Sequence, residues 1–157
     1  MRIRHVMTKD PKCCVATDVA QHAATIMRDE DTGFVPVVES HERRKLIGVV
    51  TDRDLCMGVV AQGKDPRSAP VADCMTPKVV TCAPDDSVDR ASELMRENQI
   101  RRVPIVNDQG ELVGIVAMAD IVERDAVKPA QTHETLKKVS EPTEAPSKPR
   151  AQSKNAA

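Results

Sequence analysis

Apolar positions along the chain change period several times, and each change marks an element. Ala20, Ala23, Ala24 and Met27 recur at helical spacing, and Val88, Ala91, Leu94 and Met95 do the same further on. The second of these helices follows Pro84-Asp85-Asp86-Ser87, an acidic, hydroxyl-bearing start that satisfies free amide groups at a helix N-terminus. After each helix come two β-branched runs joined by a polar turn: 34–38 with 46–51, and 103–106 with 112–116. These runs are nearly continuous in apolar residues, which predicts sheets covered on both faces. Short extended pieces at 12–15 and 78–81 precede the helices, and short helices at about 53–61 and 119–126 follow the strands.

The two halves are copies. A shift of 68 places Met7-Thr8 on Met75-Thr76, Cys14 on Cys82, Asp18 on Asp86, and Val35-Pro36-Val37-Val38 on Val103-Pro104-Ile105-Val106. Beyond the hairpin turn the shift becomes 66, and Leu46-Ile47-Gly48-Val49-Val50 meets Leu112-Val113-Gly114-Ile115-Val116. A two-residue insertion confined to a hairpin loop costs little. Each copy therefore reads β-α-β-β-α, a unit of about 55 residues that buries too little surface to stand alone. The expected architecture is α+β, with two such repeats packed sheet to sheet about a pseudo-twofold axis. The expected divisions are a first repeat over 1–62, a linker over 63–70, a second repeat over 71–127 and a disordered tail over 128–157.

Composition narrows the function classes. The 157 residues contain one Phe and neither Trp nor Tyr, so base-stacking nucleic-acid modules are disfavoured. With 23 basic and 24 acidic residues the chain is no general polyanion binder. No apolar run approaches the ~20 residues of a membrane span, and no signal peptide precedes the patterned sequence; a cytoplasmic protein is expected. Five cysteines without C-x-x-C spacing fit reduced thiols, with Cys13-Cys14 as the one candidate redox pair. Neither a nucleophile–histidine constellation, a phosphate-binding glycine loop nor a zinc spacing is legible, so no enzymatic activity and no metal are expected.

The strand-to-helix junction Gly48-Val49-Val50-Thr51-Asp52-Arg53-Asp54-Leu55 carries the most chemistry. Thr51 and Asp54 place a hydroxyl and a carboxylate at one bend, and a carboxylate accepts hydrogen bonds from a vicinal sugar diol. The same spacing suits a helix cap, with Thr51 as the capping residue and Asp54 three positions on. In the second copy Asp120 is retained, whereas Ala117 and Ala119 stand in place of Thr51 and Arg53. Arg101 and Arg102 precede the second Val-Pro strand, and arginine is suited to phosphate.

The ordered set over residues 3–126, a Met-Thr lead-in, a Val-Pro-hydrophobic strand and a Gly-hydrophobic-hydrophobic-x-x-x-Asp ending, each occurring twice, resembles the cystathionine-β-synthase (CBS) domain pair. That resemblance implies a regulatory module with two clefts for adenosine-containing ligands such as AMP, ADP, ATP, NAD or S-adenosylmethionine. It also implies a homodimer that signals to a protein partner. It assigns the ribose to Thr51 and Asp54, with Asp120 in the second copy, and phosphate contacts to Arg101 and Arg102, beside Arg53 as a further candidate. It places the adenine slot at Cys14, Val15, Phe34, Val35 and Pro36 in one copy and Val80, Thr81, Val103 and Pro104 in the other. A scaffold with vestigial clefts and a thiol redox sensor are the alternatives.

Overall fold

The structure is a computed structural model, and it describes residues 1–124 and 129–142. In the first repeat, β2 (Cys14–Val15) leads into α1 (Ala20–Asp29), followed by the hairpin β3 (Phe34–Val38) and β4 (Leu46–Thr51) and by α2 (Asp52–Leu55). The hairpin pairs Phe34 with Thr51 and carries a bulge at Val37/Val38, while β2 lies parallel to β3. The second repeat repeats the plan with α3 (Val88–Asn98), β6 (Arg102–Val106), β7 (Leu112–Ala117) and α4 (Met118–Glu123), bulged at the matching place, Ile105/Val106. Its extended lead-in is reduced to a single parallel bridge, Cys82 to Ile105.

The lead-ins cross over between repeats. The first-repeat strand β1 (Thr8–Lys9) pairs antiparallel with β7 of the second, and β5 (Thr76–Pro77) pairs antiparallel with β4 of the first. Ile3 and Val6 accordingly pack with Val88, Met95 and Ile121, while Val71 and Met75 pack with Cys14, Met27 and Val35. The division at residue 62 is therefore not a division of cores: residues 1–9 belong to the second sheet's side of the molecule. Periodicity reports an element's partners only as "apolar", so it could not reveal the exchange.

The crossover explains both strand glycines. A Cβ on Gly48 would lie 2.6 Å from the Thr76 carbonyl oxygen, and one on Gly114 2.6 Å from Met7 Sδ and 3.0 Å from the Thr8 carbonyl oxygen. Only glycine admits such a close approach in a strand. The two sheets are also stitched at their hairpin ends, where Leu46 N–H donates to the Gly110 carbonyl (3.1 Å) and Leu112 N–H to that of Arg44 (2.8 Å). Cys13, Val38 and Leu112 form a buried cluster spanning the two repeats.

Three expectations change. Residues 63–70 are not a loose linker: Ala20 and Gln21 donate to the Ala69 and Pro66 carbonyls, and Ala69 is buried against Ala20 and Val59. The first closing helix is regular only over Asp52–Leu55 and then widens into a π-helical turn, Cys56–Val60, with Gly58 pressed against Cys74. Within the expected tail, Pro129–Ser140 form α5, which packs on α3. Thr135 and Val139, one helical turn apart, are buried, and the hydroxyls of Thr135 and Ser92 are 3.1 Å apart. A polar helix with so narrow a buried stripe reads as tail from composition alone. Residues 143–157, also read as disordered tail, lie outside the described residues.

Candidate functional site

Both repeats wall a cleft of about 740 Å³ at the end of β4. There the chain bends from strand to helix because Thr51 caps α2: its Oγ1 accepts from Asp54 N–H (3.1 Å) and Asp54 Oδ2 accepts from Thr51 N–H (2.9 Å). The reciprocal pair satisfies two otherwise free donors. The Thr76 hydroxyl on the exchanged strand also donates to Asp54 Oδ2 (3.4 Å). One carboxylate thus ties the bend to the crossover. Thr51, Arg53 and Phe34 face the cleft from the first repeat; Val80, Arg101, Arg102 and Pro104 face it from the second. The left-handed Gln99 (φ 53°) ends α3 and turns the chain so that the arginine pair reaches this mouth.

The cleft gathers cationic side chains. Arg53, Arg101 and Arg102 make no ion pair among the described residues, whereas Arg4, Arg28, Arg67 and Arg90 each face a carboxylate. One carboxylate, Asp52, lines the same cleft, packed against Gly33, where a Cβ would come within 2.5 Å of it. Three guanidinium groups without ion pairs in a concave site have the chemistry to meet an anion.

A second, smaller cleft of about 270 Å³ lies at the pseudo-equivalent bend. Asp120 Oδ2 accepts from Ala117 N–H (2.8 Å), as Asp54 does from Thr51, but position 117 offers no hydroxyl in return. Ala117→Thr should complete the reciprocal cap and stabilise the chain by about 1 kcal/mol, read as a higher midpoint in urea denaturation at unchanged slope.

The CBS domain family model matches residues 3–60 and again 71–126. The chain belongs to the CBS domain family. An uncharacterized protein of Methanopyrus kandleri is 39% identical over 138 residues, 88% of this chain and 67% of that protein. The CBS domain-containing protein YhcV of Bacillus subtilis is 40% identical over 119 residues, 76% of this chain and 81% of YhcV. Among solved structures, the CBS domain pair of protein MJ0100 in complex with 5′-methylthioadenosine and S-adenosyl-L-methionine superposes with a TM-score of 0.71 at 28% identity, covering 80% of this chain and 95% of that one.

Not every residue expected at a CBS ligand site reaches a cleft. Cys14, Val35 and Val103 are fully buried in the two cores and unavailable to an adenine ring, and Pro36 lines neither of the two clefts. Along β3 alternate side chains take opposite faces, which sends Phe34 to the clefts and Val35 to the core. Val15 and Thr81 are half-buried but absent from both cleft walls, and Asp54 stands just behind Thr51 rather than on the wall itself. Asp120 does line the second cleft. Asp52 and Thr76 are on the first cleft and were not singled out; the repeated Met-Thr pair was the available signal for Thr76, but it gave no hint that the pair serves the opposite repeat.

Burial pushes the Cys14 thiol up to about 12 and that of Cys82 up to about 11, and it raises Cys13 and Cys74 as well. At neutral pH these thiols hold their protons and react slowly. Among the described residues no cluster of His, Cys, Asp and Glu could hold a metal, and no helix is long and apolar enough to cross a membrane.

Proposed function

We propose that this CBS pair is a non-enzymatic regulatory module of the cytoplasm that binds a phosphorylated adenine nucleotide in the larger cleft. The observation that carries this reading is the trio Arg53, Arg101 and Arg102, brought to one cleft by both repeats and without an ion pair among the described residues. The methylthioadenosine and S-adenosylmethionine of the related MJ0100 pair support the adenosine class. The charge selects within that class, because S-adenosylmethionine sets a sulfonium and an ammonium against its one carboxylate, whereas every phosphate of a nucleotide gains from the guanidinium groups. Thr51 then serves the ribose, held in place by the Asp54 carboxylate behind it, and Phe34, Val80 and Pro104 supply the apolar edge for the base. The buried, unactivated thiols at Cys13 and Cys14 weigh against the redox alternative.

A ligand that touches both repeats favours the arrangement it fits and so changes their relative population. The surface that reports the change includes Met57 and Val60 beside the first bend, both exposed, with Val60 at 70%. Large apolar side chains exposed there suit self-association into a homodimer, which sedimentation velocity checks.

The test is a thermal-shift panel of AMP, ADP, ATP, NAD, S-adenosylmethionine and cyclic dinucleotides. At one hundred times its dissociation constant the true ligand adds about 2.7 kcal/mol, which corresponds to a rise of roughly 5–10 °C for a domain of this size. ADP or ATP is expected to lead and S-adenosylmethionine to trail. A leading response from S-adenosylmethionine, or none from any compound, contradicts the reading.

A further inference from the structure

The arginine pair borders more than the larger cleft. Arg101 and Arg102 also line a cavity of about 650 Å³ walled by α4 and α5, and Arg102 reaches the smaller cleft as well. The α4–α5 cavity has a chemistry unlike that of the larger cleft. Met118 and Val122 from α4 and Leu136 and Val139 from α5 give it apolar walls, with Ala117 and Ala119 where β7 meets α4. Its polar side chains are the two arginines, Glu123 and Ser140.

These walls stand open to water. Val122 is 40% and Leu136 42% exposed, although both are large and apolar. Leu136 follows Thr135, which is buried where α5 meets Ser92 of α3. A helix turns about 100° per residue, so the docking that hides Thr135 leaves Leu136 on the neighbouring face, at the cavity. A concave space of this volume is within the range of small-molecule sites, and covering apolar walls is favourable in proportion to the area taken from water.

A phosphate held by Arg101 and Arg102 stands between two unlike spaces. The larger cleft offers Thr51, Arg53 and the apolar edge at Phe34, Val80 and Pro104; the α4–α5 cavity offers apolar walls. Glu123 sets the sign of what this cavity accepts. With both arginines engaged by phosphate, its carboxylate repels a further anion there and leaves an uncharged chain unopposed. A simple nucleotide ends at the arginines and leaves Val122 and Leu136 bare.

We propose that the ligand is an adenine nucleotide carrying an apolar chain beyond its phosphates, as acyl adenylates and acyl-coenzyme A thioesters do. The nucleoside occupies the larger cleft, the phosphates meet Arg101 and Arg102, and the chain lies between α4 and α5. This rests on the nucleotide reading of the larger cleft and names the class of nucleotide it takes.

Isothermal titration with AMP and its butyl and octyl phosphate esters tests the proposal. A fully buried methylene strengthens binding by about fourfold, so the octyl ester is expected to bind roughly tenfold or more tighter than the butyl ester. Octyl phosphate, which lacks the nucleoside, should bind at least roughly tenfold more weakly than the octyl ester. Leu136→Gln and Val122→Thr, each at an exposed position outside the larger cleft, should lose most of the gain from the chain and bind ADP as the wild type does. Octanoyl-coenzyme A compared with coenzyme A separates the two sources: a gain from the octanoyl group there assigns the thioester, and a gain confined to the AMP esters assigns the adenylate. Equal affinity for the butyl and octyl esters, octyl phosphate binding as tightly as the octyl ester, or a chain-length gain untouched by both variants overturns the proposal while ADP binding keeps the nucleotide reading intact. Failure of every adenine compound to bind overturns both.

Discussion

Ile3→Ala is expected to destabilise the whole chain by about 3 kcal/mol, a large cost for a change three residues from the N-terminus. Ile3 is fully buried among Val88, Met95 and Ile121 of the second repeat, and its amide donates to the Asp86 carbonyl (3.0 Å). Nearby, Val88 N–H donates to the Met1 carbonyl (3.0 Å), which fixes the segment against the start of α3. Removing three carbons there leaves a cavity in a core that has no aromatic side chain free to fill it, since the chain's one Phe lines the clefts. The exchange of lead-ins makes the loss global: β1 also pairs with β7, so loosening the terminus opens the second sheet's edge. Urea denaturation should show the midpoint fall by roughly 1–2 M at unchanged slope. A loss below about 0.5 kcal/mol, the usual range for surface positions, would mean that the first residues do not pack on the second repeat.

How far the sequence disclosed this arrangement depends on which kind of information each feature needs. The helices at Ala20 and Val88 and the hairpins at 34–51 and 102–117 follow from local period and turn chemistry, and local signals are strong there. The crossover depends on which of two nearly identical sheets an edge strand joins, and a duplicated sequence offers the same hydrophobic partner twice. The same limit governs the site. Thr51, Arg53, Arg101 and Arg102 were legible because their chemistry is uncommon in a short span. The adenine slot was over-read at Cys14, Val35 and Val103, because a strand's two faces look alike when both are apolar. α5 was missed for the opposite reason, its buried stripe being narrow and partly hydroxylic.

Arg101→Ala is expected to weaken ADP binding by roughly ten- to hundred-fold while leaving adenosine affinity unchanged, the effect of losing one charge-assisted hydrogen bond of about 1.5–3 kcal/mol. Arg101 is the informative choice because its side chain is exposed, so its removal costs no core packing. Its carbonyl accepts from Met118 N–H (2.9 Å), a backbone bond that the substitution keeps. Arg101→Lys should recover part of the affinity, since a point charge replaces a bidentate fork. Raising ionic strength should weaken ADP binding to the wild type more than to Arg101→Ala. Equal losses for ADP and adenosine would show that Arg101 shapes the cleft instead of meeting a phosphate.

In the proposed function one nucleotide is held by both repeats at the bend that Thr51 caps. Amide-resolved NMR of the full chain titrated with ADP tests it most directly. The amides of Thr51, Asp52 and Arg53 should shift together with those of Val80, Arg101 and Arg102, saturating on a single curve. Shifts confined to one repeat, or none at either set of amides, would contradict it.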